Sequence, residues 1–190
     1  MKKAFHSIAL ATLVLIGFNH LNAQDTNSDA HTLTVNIPEV ALLDIEGGTA
    51  VTLNPAAPTE AGEPIDFTAE TDNTLWLNYS SIIGDAPDNS RTVKANLAGT
   101  MPTGSNLIVT VGSATNTGAG NKGTSAGAVT LAAVATDYTV ISGIGSCYTG
   151  NGANNGHNLT YSLTENSANY GSLNFSTDYL VTITYTLSDN

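Results

Sequence analysis

The sequence predicts an all-β fold: a single antiparallel β-sandwich placed behind an N-terminal signal peptide. Three observations carry that prediction. Apolar and polar residues alternate with period two in many short runs. Turn signals rich in Gly, Pro, Asn and Asp separate those runs at intervals of roughly 8–12 residues. No segment beyond residue 23 shows helical periodicity, and the abundant Thr, Val and Tyr suit a pleated, half-buried surface.

The first element is the export signal. Lys2 and Lys3 form a positive n-region, Ile8 to Phe18 an apolar h-region, and Leu21-Asn22-Ala23 a small-residue end before Gln24. The apolar run falls short of the roughly 20 residues a bilayer span requires, which opposes an uncleaved anchor. No Cys sits at the junction to take a lipid, and no later segment is apolar enough to span. The expected product is exported to the extracellular space or cell surface, or to the periplasm, with no transmembrane segment in the mature chain.

Cleavage after Ala23 leaves 167 residues, read as a polar leader over 24–30 and one β-sandwich domain over 31–190. It also removes two of five basic residues. Arg91, Lys94 and Lys122 then stand against 16 acidic side chains, a formal charge of −13. Such a surface repels nucleic acid, whose binding relies on Lys and Arg neutralising phosphates, and repels anionic lipid likewise. Cys147 is the only cysteine, so no internal disulfide forms and the fold rests on its core.

From His31, Leu33, Val35 and Ile37 alternate with Thr32, Thr34 and Asn36, the pattern of a strand that ends at Pro38. Further strands are expected at Val40–Ile45, Ala50–Leu53, Ile65–Thr68, Thr74–Ser80, Arg91–Leu97 and Leu107–Val111. Residues 112–127, nearly all Gly, Ala, Ser, Thr and Asn, predict a long surface loop. Strands follow at Ala128–Ala133 and Tyr138–Ile141. A second Gly/Asn-rich loop is expected over 143–158, then strands around Leu159–Leu163 and Leu173–Phe175. The last segment is the clearest: Tyr179, Val181, Ile183, Tyr185 and Leu187 make an apolar face, and Thr182, Thr184 and Thr186 lie on the other.

Catalytic motifs find no context. Gly123-Thr124-Ser125-Ala126-Gly127 matches G-x-S-x-G, but a nucleophile elbow needs a strand-to-helix turn. Gly118, Gly120 and Gly123 fit G-x-G-x-x-G, which means phosphate binding only within a βαβ unit. The expected protein is therefore not an enzyme and has no organic cofactor. One Cys and two His beyond the signal cannot build a usual zinc site. Calcium is the one cation the composition leaves open, with Asp85, Asp88 and Asn89 as candidate oxygen ligands, although no spacing matches an EF-hand loop.

The C-terminal stretch adds a resemblance. Leu159-Thr160-Tyr161-Ser162-Leu163, Tyr170-Gly171 and the run from Asp178 to Leu187, DYLVTITYTL, resemble the closing strands of spore coat protein U-type and related pilin domains. The resemblance implies an Ig-like or pilin-like sandwich and a non-catalytic fimbrial or adhesive surface subunit. Such subunits assemble with copies of themselves or other surface subunits through a chaperone–usher system. They often carry a Cys pair, and this chain departs from that pattern. Assembly by strand addition needs an N-terminal segment that joins a neighbour's open sheet edge. Leu33, Val35 and Ile37 have the required alternation; they either pack in their own domain or fill a neighbour's groove. The alternative function is a secreted glycan- or calcium-binding sandwich module using the loops 112–127 and 143–158.

Overall fold

Sheet forms over most of the runs in which apolar residues alternate. The computed structural model describes residues 27–48, 50–132, 134–175 and 179–190. The expected signal peptide, residues 1–23, lies outside them. The chain divides into two units, residues 1–36 and 37–190. In the first, the described residues 27–36 are exposed and belong to no strand or helix.

The second unit is all-β. Its strands are β1 (Val40–Glu46), β2 (Thr71–Ile82), β3 (Arg91–Gly99), β4 (Ser105–Val111), β5 (Ala119–Ser125), β6 (Gly127–Leu131), β7 (Asp137–Tyr148), β8 (His157–Glu165) and β9 (Val181–Asp189). A 3-10 helix, Ser167–Ser172, precedes the last strand. All nine strands join one antiparallel sheet in the order β6-β4-β8-β2-β7-β3-β9, with β1 also on β2 and β5 also on β7. Along one edge, β2 changes partner: Thr71–Leu77 faces β8, whereas only Ser80 and Ser81 face β7. Breaks in register near Asp72 and near Val93 bend the sheet, as extra residues in a ladder do.

Period two sets the core. In β4, Leu107, Val109 and Val111 are buried and the residues between them are not. Val93, Ala95 and Leu97 of β3 repeat the pattern, with Leu159 and Tyr161 of β8. Each fully buried Val or Leu stabilises the fold by about 1.5–3 kcal/mol. Cys147 is buried and free, and burial pushes its thiol pKa up.

Several expectations differ from the structure. Leu33, Val35 and Ile37 alternate but enter no strand, and are 79%, 72% and 75% exposed; the first strand starts at Val40. The expected loop 112–127 contains β5, whose glycines take the place of an apolar pattern. Gly118 and Gly120 have φ of +87° and +83°, and a Cβ on either would meet a β7 carbonyl at 1.9 and 2.1 Å. Only glycine lets this backbone lie so close. The expected loop 143–158 is strand as far as Tyr148, because β5 supplies a partner to Ile144 and Cys147.

Candidate functional site

An apolar groove of about 1130 Å³ lies in the sheet unit. Its deepest residues are the buried Leu75, Leu107, Tyr161 and Tyr185. Its lining also includes Ile45 at the end of β1, Val51 and Leu53 beyond it, and Ile65 and Phe67. Leu173, Phe175 and Leu180 join it, with Val181 and Ile183 of β9. Phe175 and Leu180 are fully and 78% exposed, respectively. Residues 50–53 and 173–175, expected as short strands, pair with nothing regular and line this groove instead.

Polar groups are few in the groove. The Tyr161 and Tyr185 hydroxyls meet at 2.9 Å, so one donates to the other. Burial raises both phenol pKa values, and the neighbouring Tyr161 raises that of Tyr185 further. Both therefore stay neutral, and the groove presents carbon with one hydroxyl pair at its base.

The edge of β9 bounds the groove. β9 pairs with β3 along one side, and among the described residues no strand pairs with its other side. The Thr100 N–H donates to the Leu180 carbonyl, which makes Gly99 and Val181 a non-hydrogen-bonded pair. Period two then turns the N–H and C=O of Val181, Ile183 and Tyr185 away from β3. A free ladder thus runs beside the groove that the same three side chains line.

The other end of the sheet is closed. Arg91, 1% exposed, sits at the start of β3. Its Nε donates to Asp189 Oδ1 at 2.7 Å and its Nη2 to Glu39 Oε1 at 2.5 Å. Its Nη1 donates to the Val40 carbonyl, and at 3.2 Å to Ser81 Oγ and the Ile82 carbonyl. The pairs Val40–Ile82 and Arg91–Asp189 mark this closed end, whereas Ile45, Leu75 and Val181 mark the groove end. The chain enters its first strand at the closed end.

The sequence motifs take structural roles. Ser125 Oγ donates to the Val111 carbonyl at 2.5 Å and accepts from Gly127 N–H at 2.9 Å. His157 is buried; its Nδ1 lies 2.8 Å from the Gly112 carbonyl and its Nε2 2.8 Å from the Tyr79 hydroxyl. Tyr79 also donates to the Lys122 carbonyl at 2.5 Å. Serine and imidazole share the lining of a second cavity of about 290 Å³, but each is bonded elsewhere.

Asp85, Asp88 and Asn89 are exposed in the turn between β2 and β3, where Asp88 N–H donates to the Asp85 carbonyl at 3.0 Å. Among the described residues no three His, Cys, Asp or Glu side chains are grouped to hold a metal ion. Asp66 and Asp72 instead accept from the N–H and hydroxyl of Thr68 and Thr74, closing local turns. These bonds to Thr68 hold the Asp66 carboxyl below its ordinary range. No helix among the described residues is long and apolar enough to cross a membrane.

The groove escapes sequence reading because its residues come from seven separate stretches. Its one local signal is the strong alternation of the final strand, with no second alternating run assigned to its edge. No family model, curated protein or solved structure matches the chain.

Proposed function

We propose that this chain is an exported, non-catalytic structural subunit of the cell surface that assembles by strand addition. Residues 31–37 of one copy lie in the groove of the next, along the free edge of β9. The observation that carries this reading is the apolar groove bordered by that unpaired ladder. Leu33, Val35 and Ile37 supply the complement: one apolar face, exposed, with period two. Burying three such side chains is worth about 1.5–3 kcal/mol each, before any ladder hydrogen bonds.

The sheet in this reading is a sandwich. The layer β6-β4-β8-β2 and the layer β7-β3-β9 are joined through Ser80–Tyr148 and Ser81–Cys147 alone, a narrow crossing compatible with one layer folding over the other. The groove opens at one end and the chain enters at the other. A contact between a groove and a different surface is heterologous, so repetition gives an open filament rather than a closed ring.

Removal of residues 24–37 from the mature chain tests the reading. Sedimentation should show concentration-dependent polymers for residues 24–190 and a folded monomer for residues 38–190. A peptide of residues 31–38 should bind that monomer. Monomeric behaviour of residues 24–190 at every concentration would overturn the proposal.

A further inference from the structure

Away from the groove, one buried polar chain joins four segments. It runs from the Gly112 carbonyl after β4, through the His157 imidazole on β8 and the Tyr79 hydroxyl on β2, to the Lys122 carbonyl on β5. The Lys122 ammonium donates back to the Thr115 and Thr117 carbonyls, so the same residue closes the loop leading into β5. The seven residues of β5 bury no large apolar side chain. Besides the ladder on β7, β5 is tied by the Ser125 hydroxyl to the Val111 carbonyl and by the Asn121 amide to the Gly143 carbonyl.

We propose that neutral His157 is an acid-sensitive latch on β5, and that its protonation loosens β5 and residues 112–118 from the rest of the sheet. The chain has three links and, with neutral imidazole, two protons. A third proton could complete the links without moving a heavy atom, but it would place a cation in a site with no counter-charge. The titratable and charged groups acting on His157 are Tyr79 from β2 and Lys122 from β5, while Cys147 of β7 acts on Tyr79. The turn after β4 offers the Gly112 carbonyl alone, and no carboxylate acts on the ring among the described residues. Loss of hydration therefore outweighs the extra hydrogen bond. Burial pushes the His157 pKa down and the Lys122 charge adds to that, while the two carbonyl bonds act against it. The 290 Å³ cavity lined by Ser113, Thr124, Ser125 and His157 gives the proton its route.

The sign follows. With the folded pKa below the ordinary histidine value of about 6.5, the unfolded chain binds the proton first as pH falls. The stabilisation is complete above about pH 6.5 and is lost as pH falls toward the folded pKa. Over that window the unfolding constant should rise up to about tenfold per pH unit.

Urea titrations from pH 7.5 to 5, with ring nitrogen shifts by NMR, test this. The chain should lose stability across that window with its His157 ring still neutral, and His157→Gln should show no such slope. Protection of β5 amides against exchange should fall before that of β3 and β9. If His157→Gln does not fold, the NMR titration of the unaltered chain decides alone. A folded His157 pKa at or above 6.5, or parallel slopes in both proteins, would overturn the proposal.

Discussion

Arg91 joins four segments through one guanidinium. Glu39, Val40, Ser81, Ile82 and Asp189 all accept from it, and the planar fork suits several acceptors held at fixed angles. Arg91→Met should remove the cation from the Glu39 and Asp189 carboxylates and the donor from the buried Ser81 hydroxyl. A bond to a charged or buried acceptor is worth about 1–3 kcal/mol, and both carboxylates are part-exposed, so the variant should lose about 2–5 kcal/mol. Arg91→Lys should recover only part, since an ammonium cannot reproduce the fork. The urea midpoint should fall with its slope unchanged; a loss below about 1 kcal/mol would show that the cluster does little. Sequence alone marks Arg91 as one of three Lys or Arg residues beyond residue 23, but not as buried, because its partners lie up to 98 positions away. The tyrosines give a second test. Burial keeps Tyr79, Tyr161 and Tyr185 protonated above the usual value of about 10. Their raised pKa values add stability that is complete below about pH 10 and lost as pH rises through the folded values. In an alkaline titration followed by tyrosinate absorbance, these three should ionise only as the protein unfolds. Smooth ionisation of all seven tyrosines before unfolding would contradict their burial.

Strands that carry their own apolar alternation are the ones legible in the sequence. β3, β4, β8 and β9 show it; the expected face is buried in β3 and β4, buried at Leu159 and Tyr161 in β8, and half-buried in β9 apart from the buried Tyr185. β5 is illegible for a physical reason: what makes it a strand is the absence of side chains. Gly120→Ala should therefore be far costlier than a glycine change in a loop, because φ is +83° and the new Cβ meets the Ser146 carbonyl at 2.1 Å. Backbone strain of this kind costs about 1–3 kcal/mol before the clash is counted. Gly62→Ala, where a Cβ meets nothing at φ +99°, carries the strain without the clash. Differential scanning calorimetry should give the lower melting temperature to Gly120→Ala; equal values would mean that β5 does not lie against β7 as described. The converse case is residues 31–37, which alternate as well as any strand and pair with none. Period two reports a side-chain arrangement, not the partner that completes it.

At the scale of the whole sheet, the two ends differ. The groove residues Ile45, Leu75 and Val181 lie at the end of the sheet opposite Val40, where the chain enters β1, so the proposed strand addition between copies would have a direction. A formal charge of −11 opposes unspecific clustering, so the proposed contact between copies rests on a short apolar segment. Two single-cysteine proteins test the contact most directly, both in a Cys147→Ser background: one carrying Val35→Cys and the other Ile183→Cys. Mixed under mild oxidation, they should form a disulfide-linked heterodimer. Replacing Ile183→Cys by Thr139→Cys, on β7 away from the groove, should abolish it. Equal cross-linking at positions 183 and 139, or none at either, would contradict strand addition in the groove.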